Sequence, residues 1–380
     1  MSLSMNGRSV RRLRRREFLA SASSIAAGLF LPDRRLHSAE PERPSLAWHD
    51  VSNWGVEGRG WEKTQRFYDR LPAGADKLVR AAVWGLSRHS AGMSTDFATD
   101  ARQIHVRYRL RSARLAMPHM PATGVSGIDL YARNGSGWRW VGVSRPTSQE
   151  VHAVLASSLK PCGDELREFR AYLPLYNGVE SLEIGVPQDA EFRPMKPRSG
   201  PAIVFYGTSI MHGACASRPG MAITAIVGRK LDQPVINLGF SGNGKLELEL
   251  AKLLVELDAS VYCLDCLPNL TPQGVRQRTE PFVRFLRQKK PHTPILMVEG
   301  RFYADSWINT ARHARNVGNH REFKAAYERL TKAGISGLHY LPADRLLGDD
   351  GEATTDGSHP NDLGMMRYAE AYVEALKPLL

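Results

Sequence analysis

The chain has 380 residues, 42% hydrophobic and 24% charged, with 51 Lys+Arg against 39 Asp+Glu for a formal net charge of +12. That length and apolar content exclude disorder throughout and allow one large or two medium cores. Four cysteines are too few for a disulfide-stapled scaffold, and no run of about 18 apolar residues is present for a spanning helix. A soluble, basic, two-domain protein is expected.

The positive charge is concentrated at the start. Residues 1–43 hold nine arginines, six of them between Arg8 and Arg16, against four acids, a net +5 that leaves +7 for the rest. An Arg-rich beginning, an apolar stretch from Phe18 to Leu31 and a polar exit follow the order of an export signal. Arg15-Arg16-Glu17-Phe18-Leu19 resembles the twin-arginine consensus, which a receptor reads as an address. A basic nucleic-acid arm would use the same arginines but leave the apolar run unexplained, so no nucleic-acid partner is expected. The leader implies the twin-arginine translocase as a partner and a periplasmic or extracellular location. Cleavage after His37-Ser38-Ala39 and retention as a membrane anchor both stay open.

Residues 44–197 read as a β-rich domain. Ile104, Val106, Tyr108 and Leu110 alternate with polar residues, the period of a half-buried strand. Further strands are expected at 127–132, 138–143, 167–173 and 181–186, separated by turn-formers such as Asn134-Gly135-Ser136-Gly137 and Asn177-Gly178. Short strands with regular turn signals suggest a β-sandwich, jelly-roll-like in form. The stretch from Phe192 to Gly200, with Pro194 and Pro197, reads as a linker.

From residue 198 to 380 the pattern changes to apolar strands alternating with amphipathic helices. Strands are expected at 202–206, 235–238, 260–264, 295–298 and 338–341, and helices at 219–231, 245–257, near 320–333 and at 362–377. Ala202-Ile203-Val204-Phe205-Tyr206 is apolar on both faces, as in a strand buried within a parallel sheet. The order predicts an α/β domain with helices on both faces of the sheet. Chemistry in such sheets sits at the carboxyl ends of the strands.

Four strand-end loops carry the informative residues. Tyr206-Gly207-Thr208-Ser209-Ile210 leads a strand through a glycine turn to a Ser, which serves either as a nucleophile or as an ordinary turn and cap residue. Phe240-Ser241-Gly242-Asn243-Gly244 allows close backbone approach, though glycines there are also plain turn chemistry. Leu267-Pro268-Asn269-Leu270 offers an amide donor, and an Asn beside a Pro is unremarkable alone. Asp356-Gly357-Ser358-His359-Pro360 sets an acid and a base three residues apart, a spacing in which one turn holds carboxylate against imidazole. A Ser hydroxyl is a poor nucleophile without such a base, and all four loops fall in order on one sheet.

With these residues in view, 201–380 resembles an SGNH (GDSL-type) hydrolase, whose four blocks carry a Ser, a Gly, an Asn and a His. Gly207-Thr208-Ser209-Ile210 matches the first block with Thr where Asp is usual, and Gly242 matches the second. Asn269 matches the third, where Leu267-Pro268-Asn269-Leu270 replaces Gly-x-Asn-Asp, and Asp356 and His359 match the last. Gly127-Ile128-Asp129-Leu130-Tyr131 resembles the Gly-x-Asp-Leu-Tyr motif that names the N-terminal β-domain of one branch of these hydrolases. The resemblance implies a flavodoxin-like hydrolase domain and a serine carboxylic-ester hydrolase. It further implies Ser209 as nucleophile, His359 as base, Asp356 as its orienting acid and Ser209, Gly242 and Asn269 as the oxyanion hole, with no cofactor or metal. The expected substrate is a small-molecule or glycan ester, an acetylated carbohydrate first, with a lipid or aryl acylhydrolase or a weakly catalytic carbohydrate-binding protein as alternatives.

Other polar residues divide between chemistry and structure. Cys263 and Cys266 have redox or metal spacing but fall on a buried strand without a second pair, which favours small buried side chains. Cys215 lies six residues after Ser209 and is a candidate pocket residue. His212 is expected either to touch substrate or to cap the turn, and Arg218 to anchor substrate or loop. Arg301 and Trp307 are expected more as solvated loop residues than as pocket walls.

Overall fold

The computed structural model describes residues 45–163 and 165–380, which cluster as one compact unit, and the expected export leader lies outside them. Nine strands build the first half: β1 (Leu46–Asp50), β2 (Ser94–Thr99), β3 (Ile104–Leu110), β4 (Asp129–Asn134), β5 (Gly137–Val143), β6 (Glu150–Ala156), β7 (Arg167–Tyr172), β8 (Val179–Pro187) and β9 (Phe192–Met195). They pair antiparallel in two sheets, of order β1-β8-β3-β6 and β5-β4-β7-β2-β9. Ile104, Val106, Tyr108 and Leu110 point inward from β3 against Phe97, Leu130 and Phe169 of the other sheet. The two sheets thus share one apolar interior, with β3 half-buried as its alternation predicts.

The expected linker is partly strand. Phe192–Met195 pairs with β2 at the edge of its sheet. Pro194 has no N–H to donate, which an edge strand tolerates and a central one does not. The long connection between β1 and β2, which carries helix α1 (Ala81–Ser87), serves both halves: Val51, Val56, Tyr68 and Met93 join the sandwich core. Its Leu71, Ala75, Val79 and Val83 insert beneath the second half's sheet. A four-residue helix, α2 (Ala122–Val125), precedes β4.

That second sheet contains β10 (Ala202–Gly207), β11 (Val235–Gly239), β12 (Ala259–Asp265), β13 (Ile295–Val298) and β14 (Leu338–Leu341), all parallel in the order β11-β10-β12-β13-β14. The chain steps outward from β10 to β11 and then crosses to β12, so the order reverses at β10, the flavodoxin-like pattern. Every residue of β10 is buried. Burying each of its large apolar side chains contributes about 1.5–3 kcal/mol.

Helices α3 (Ser209–His212), α4 (Ile223–Leu231), α5 (Leu248–Leu254), α6 (Pro272–Lys289), α7 (Thr310–Lys332) and α8 (Asp362–Leu376) complete the fold. Leu250, Phe282 and Phe323 cover one face with α5, α6 and α7. Ile226, Met365 and Tyr372 cover the other with α4 and α8. Helix α5 is shorter than the sequence pattern because Leu246 adopts φ +50° and breaks its start. Helix α6 falls where the sequence pattern predicts no helix.

Candidate functional site

The carboxyl ends of β10, β11 and β12 converge where the strand order reverses. After Gly207 the chain turns sharply into α3, with Thr208 as N-cap accepting from the Ile210 amide at 3.3 Å. Thr thus supplies the capping oxygen that Asp would otherwise provide. Ser209 is the first residue of the helix, so its N–H has no intrahelical acceptor and stays available.

The loop after β11 folds onto this turn. A Cβ on Gly244 would sit 2.0 Å from the Gly207 carbonyl oxygen, so only glycine permits the approach. Gly242 adopts φ +69° with open space around its Cα, presenting backbone rather than side chain to the site. Asn269 follows β12 in a 3-10 turn, Leu267–Asn269. Its side-chain oxygen accepts from the amides of Asn243 at 2.9 Å and Gly244 at 3.2 Å in the orientation that satisfies both. The Nδ2 donor then occupies the other branch of the amide. Leu-Pro in place of Gly-x therefore leaves Asn269 tied to the glycine loop.

The acid and base arrive between β14 and α8. His359 Nδ1 donates to Asp356 Oδ2 at 2.7 Å, and His359 Nε2 lies 2.9 Å from Ser209 Oγ. Asp356 Oδ1 accepts from the amides of Ser358 at 3.0 Å and His359 at 2.8 Å, so the same carboxylate shapes its own turn. Partial burial works against ionisation of Asp356, but the amide and ring hydrogen bonds from His359 prevail and draw its carboxyl down to about 2. With Nδ1–H committed to the carboxylate, Nε2 is left to accept the Ser209 hydroxyl proton. Such a chain can turn a hydroxyl into a nucleophile beside three N–H donors.

Two residues hold this turn that sequence reasoning did not place there. Arg301, expected mainly as a solvated residue, is instead buried, and its Nε donates to the Ser358 carbonyl oxygen at 2.8 Å while Nη2 bonds the Ser358 hydroxyl. The Ala304 amide donates to the Gly357 carbonyl oxygen at 2.9 Å. Trp307 is 82% exposed and also lines a pocket with Phe302 and Tyr303. His119, on a turn of the β-sandwich half, has its ring 5.8 Å from that of His359, and nothing in the sequence signals this proximity.

The remaining candidates have structural surroundings. His212 is fully buried, stacked on Tyr176 at 4.1 Å between ring centroids and facing His89 and Arg70, so it presents no surface to a substrate. Burial lowers its pKa well below the ordinary value, with the Arg70 charge adding to the effect. Arg218 bonds the buried Asp129 carboxylate at 2.9 Å and the Tyr131 hydroxyl, both in the Gly127–Tyr131 motif. Asp129 also accepts from the Gly220 amide at 2.8 Å and from Trp140 Nε1 at 2.9 Å. The motif therefore joins the sandwich to the segment following the Ser209 turn. Cys263 and Cys266 are buried free thiols. Burial pushes the Cys215 thiol up to about 11, unlike an activated nucleophile.

Comparisons with known proteins agree on the two halves. Residues 201–377 match the GDSL-like Lipase/Acylhydrolase family, and residues 46–192 match the N-terminus of SGNH-hydrolase-type esterases, the GxDLY domain. A protein from Bacteroides ovatus termed a GDSL-like lipase is 32% identical, with 88% of this chain and 98% of that one covered at a TM-score of 0.84. A salicylyl-acyltransferase from a tetracycline biosynthetic pathway shares the fold at 20% identity and TM-score 0.65, covering 89% of this chain and 96% of its own. An acetyl xylan esterase from Butyrivibrio proteoclasticus does so at 11% identity and TM-score 0.51, covering 87% and 98%. No curated protein matches the chain.

Proposed function

The chain belongs to the GDSL-like lipase/acylhydrolase family and is an esterase, and from that premise we propose that it removes short acyl groups, acetyl above all, from carbohydrate esters through Ser209, His359 and Asp356. The observation that carries the reading is the unbroken hydrogen-bond chain, Ser209 Oγ to His359 Nε2 at 2.9 Å and His359 Nδ1 to Asp356 at 2.7 Å. His359 takes the Ser209 proton as Oγ attacks the ester carbonyl carbon. The proton then goes to the departing alcohol, leaving an acyl group on Ser209. Water, deprotonated by the same imidazole, hydrolyses that ester and restores the hydroxyl.

The tetrahedral oxyanion is held by the Ser209 and Gly242 amides and the Asn269 Nδ2 donor. Each such donor is typically worth about 3 kcal/mol in the transition state. Support for a carbohydrate alcohol comes from a pocket of about 300 Å³ that adjoins the Asp356–His359 turn and is lined by Phe302, Tyr303, Trp307 and Thr354. The exposed ring of Trp307 suits the apolar face of a sugar. The twin-arginine leader, outside the described residues, would deliver the enzyme to an extracytoplasmic glycan.

A fluorophosphonate probe and a substrate panel test the reading together. Stoichiometric labelling at Ser209, loss of labelling and of acetyl-ester hydrolysis in Ser209→Ala, and preference for acetylated sugars over long-chain nitrophenyl esters are expected. Unimpaired turnover in Ser209→Ala would overturn the mechanism, and preference for long chains would overturn the substrate.

A further inference from the structure

The geometry points to a second use of the same mouth: His119, Cys215 and His359 form a site for a borderline-soft divalent cation, zinc foremost, whose occupancy switches hydrolysis off. One ligand atom from each residue, two imidazole nitrogens and a thiol sulfur, lies within 4.8 Å of the others. Zinc–sulfur bonds of about 2.3 Å and zinc–nitrogen bonds of about 2.0 Å set tetrahedral edges of roughly 3.5 Å, so closure requires shifts of about 1 Å. Two imidazoles and a thiolate are a donor set that favours zinc over magnesium or calcium.

Each ligand is held from behind. His359 Nδ1 is engaged by Asp356 at 2.7 Å, leaving Nε2 as the ligating atom, and a carboxylate on the far nitrogen is the usual outer partner of a metal-bound imidazole. Cys215 sits in a left-handed backbone conformation, φ +68°, with its thiol 3.5 Å from the His119 carbonyl oxygen. His119 is at the tip of the turn Met117–Met120, whose ends exchange two backbone hydrogen bonds of 3.0 Å. Met120 and Val125 pack with Ala214 and Cys215, which fixes that turn against the segment after α3.

Binding releases the Cys215 proton to solvent and forms metal bonds to sulfur and two nitrogens, with a fourth position open to water or to the Ser209 hydroxyl. A metal on Nε2 removes the lone pair that accepts the Ser209 proton. The inhibitory effect thus rests on the proposed role of His359, whereas the binding site does not.

Titration of metal-free protein with cobalt(II) and zinc(II) tests the site without reference to turnover. Cobalt should give one equivalent of tetrahedral absorption with a thiolate charge-transfer band in the near ultraviolet, retained in Cys162→Ser and lost in Cys215→Ser. Zinc affinity, read by competition with a chromogenic chelator, should fall at least tenfold in Cys215→Ser and in His119→Gln. Saturating zinc should cut hydrolysis at least tenfold in the wild type, reversibly with chelator, and much less in either variant. Absence of the thiolate band, or its persistence in Cys215→Ser, would overturn the site even if zinc inhibits. A bound metal with undiminished hydrolysis would overturn the switch and also count against His359 as base.

Discussion

Arg301 donates to the carbonyl oxygen of Ser358, the residue immediately before His359, at 2.8 Å. The guanidinium is buried and lies over the Tyr303 ring at 4.0 Å, while the backbone carbonyl oxygen of Arg301 accepts from Asn316 Nδ2 at 3.1 Å. The Asp356–His359 turn is thereby clamped to the loop after β13. Arg301→Met keeps the apolar stem but leaves the Ser358 carbonyl and hydroxyl without their donor, at a stability cost of about 1–3 kcal/mol. Because His359 must hold Ser209 to within a few tenths of an ångström, kcat is expected to fall by about one to two orders of magnitude. Steady-state kinetics with an acetyl ester, alongside Tm, check this. A variant that loses Tm but keeps kcat would reduce Arg301 to a purely structural residue.

Asp356→Asn isolates the orienting carboxylate. The Asn oxygen can still accept from the Ser358 and His359 amides, so the turn survives. Its Nδ2 then faces His359 Nδ1 as a donor and favours the tautomer protonated on Nε2, which cannot accept from Ser209. By the usual effect of this change in serine triads, kcat should drop about 10⁴-fold with little change in fold. A loss under tenfold would remove Asp356 from the mechanism. In the wild type its carboxyl pKa of about 2 lies below the unfolded value near 4. Its contribution to stability is therefore present above about pH 4 and lost as the pH falls toward 2.

Arg218→Met tests the junction between the two halves. It strands the Asp129 carboxylate, which is completely buried and otherwise keeps only the Gly220 amide and Trp140 as donors. Removing one member of a buried pair typically costs 3–5 kcal/mol, and because the Arg218 side chain is 20% exposed the lower end, about 3 kcal/mol, is expected. Asp129→Asn, which keeps an acceptor for Gly220, should cost less. Urea unfolding measures both. KM for an acetyl ester should stay within twofold in Arg218→Met, and a large rise would restore Arg218 as a substrate contact.

The parts of this molecule legible in the sequence are those whose chemistry is local. The parallel strand at Ile295–Val298 falls where its apolar run ends, because full burial leaves no polar residue to blur the boundary, whereas Leu338–Leu341 is only partly buried, carries His339, and is legible from the apolar residues on either side of it. The Asp356-x-x-His359 pair was legible because one turn is enough to join it. Helix α6 is not legible because Pro281 falls inside it and its buried apolar residues, Val275, Phe282, Val283 and Leu286, are sparse among ten charged or polar neighbours such as Arg276 and Arg284. His119, Arg301 and Arg70 have roles set by partners between 57 and 240 residues away, and periodicity carries no information about such distances. For His212 the sequence left open substrate contact and a turn cap, and its buried ring meets Tyr176, His89 and Arg70 instead.

Asp265 provides a pH test with a definite sign. It is fully buried at the end of β12, accepts from the Tyr368 and Tyr372 hydroxyls at 2.8 and 3.0 Å through one oxygen, and leaves its other oxygen unpaired. Burial raises its pKa to about 6, against the two hydroxyls and the Arg301 charge, which pull it down. An unfolded Asp titrates near 3.9, so the folded state binds this proton more tightly than the unfolded one. The associated stability is fully present below about pH 4 and is lost as the pH rises through 6, a change on the order of 3 kcal/mol at 1.4 kcal/mol per pKa unit. His89 and His212 work in the opposite direction. Burial depresses both imidazoles, so their contribution is present above the ordinary histidine value and declines as the pH falls through it. The raw stability profile therefore mixes two signs, and the informative quantity is the difference between the wild type and Asp265→Asn. Urea unfolding from pH 4 to pH 7 should show the variant gaining on the wild type as the pH rises, with no further gain above about pH 7. A constant difference across that window would mean that Asp265 ionises no differently in the folded and unfolded chains.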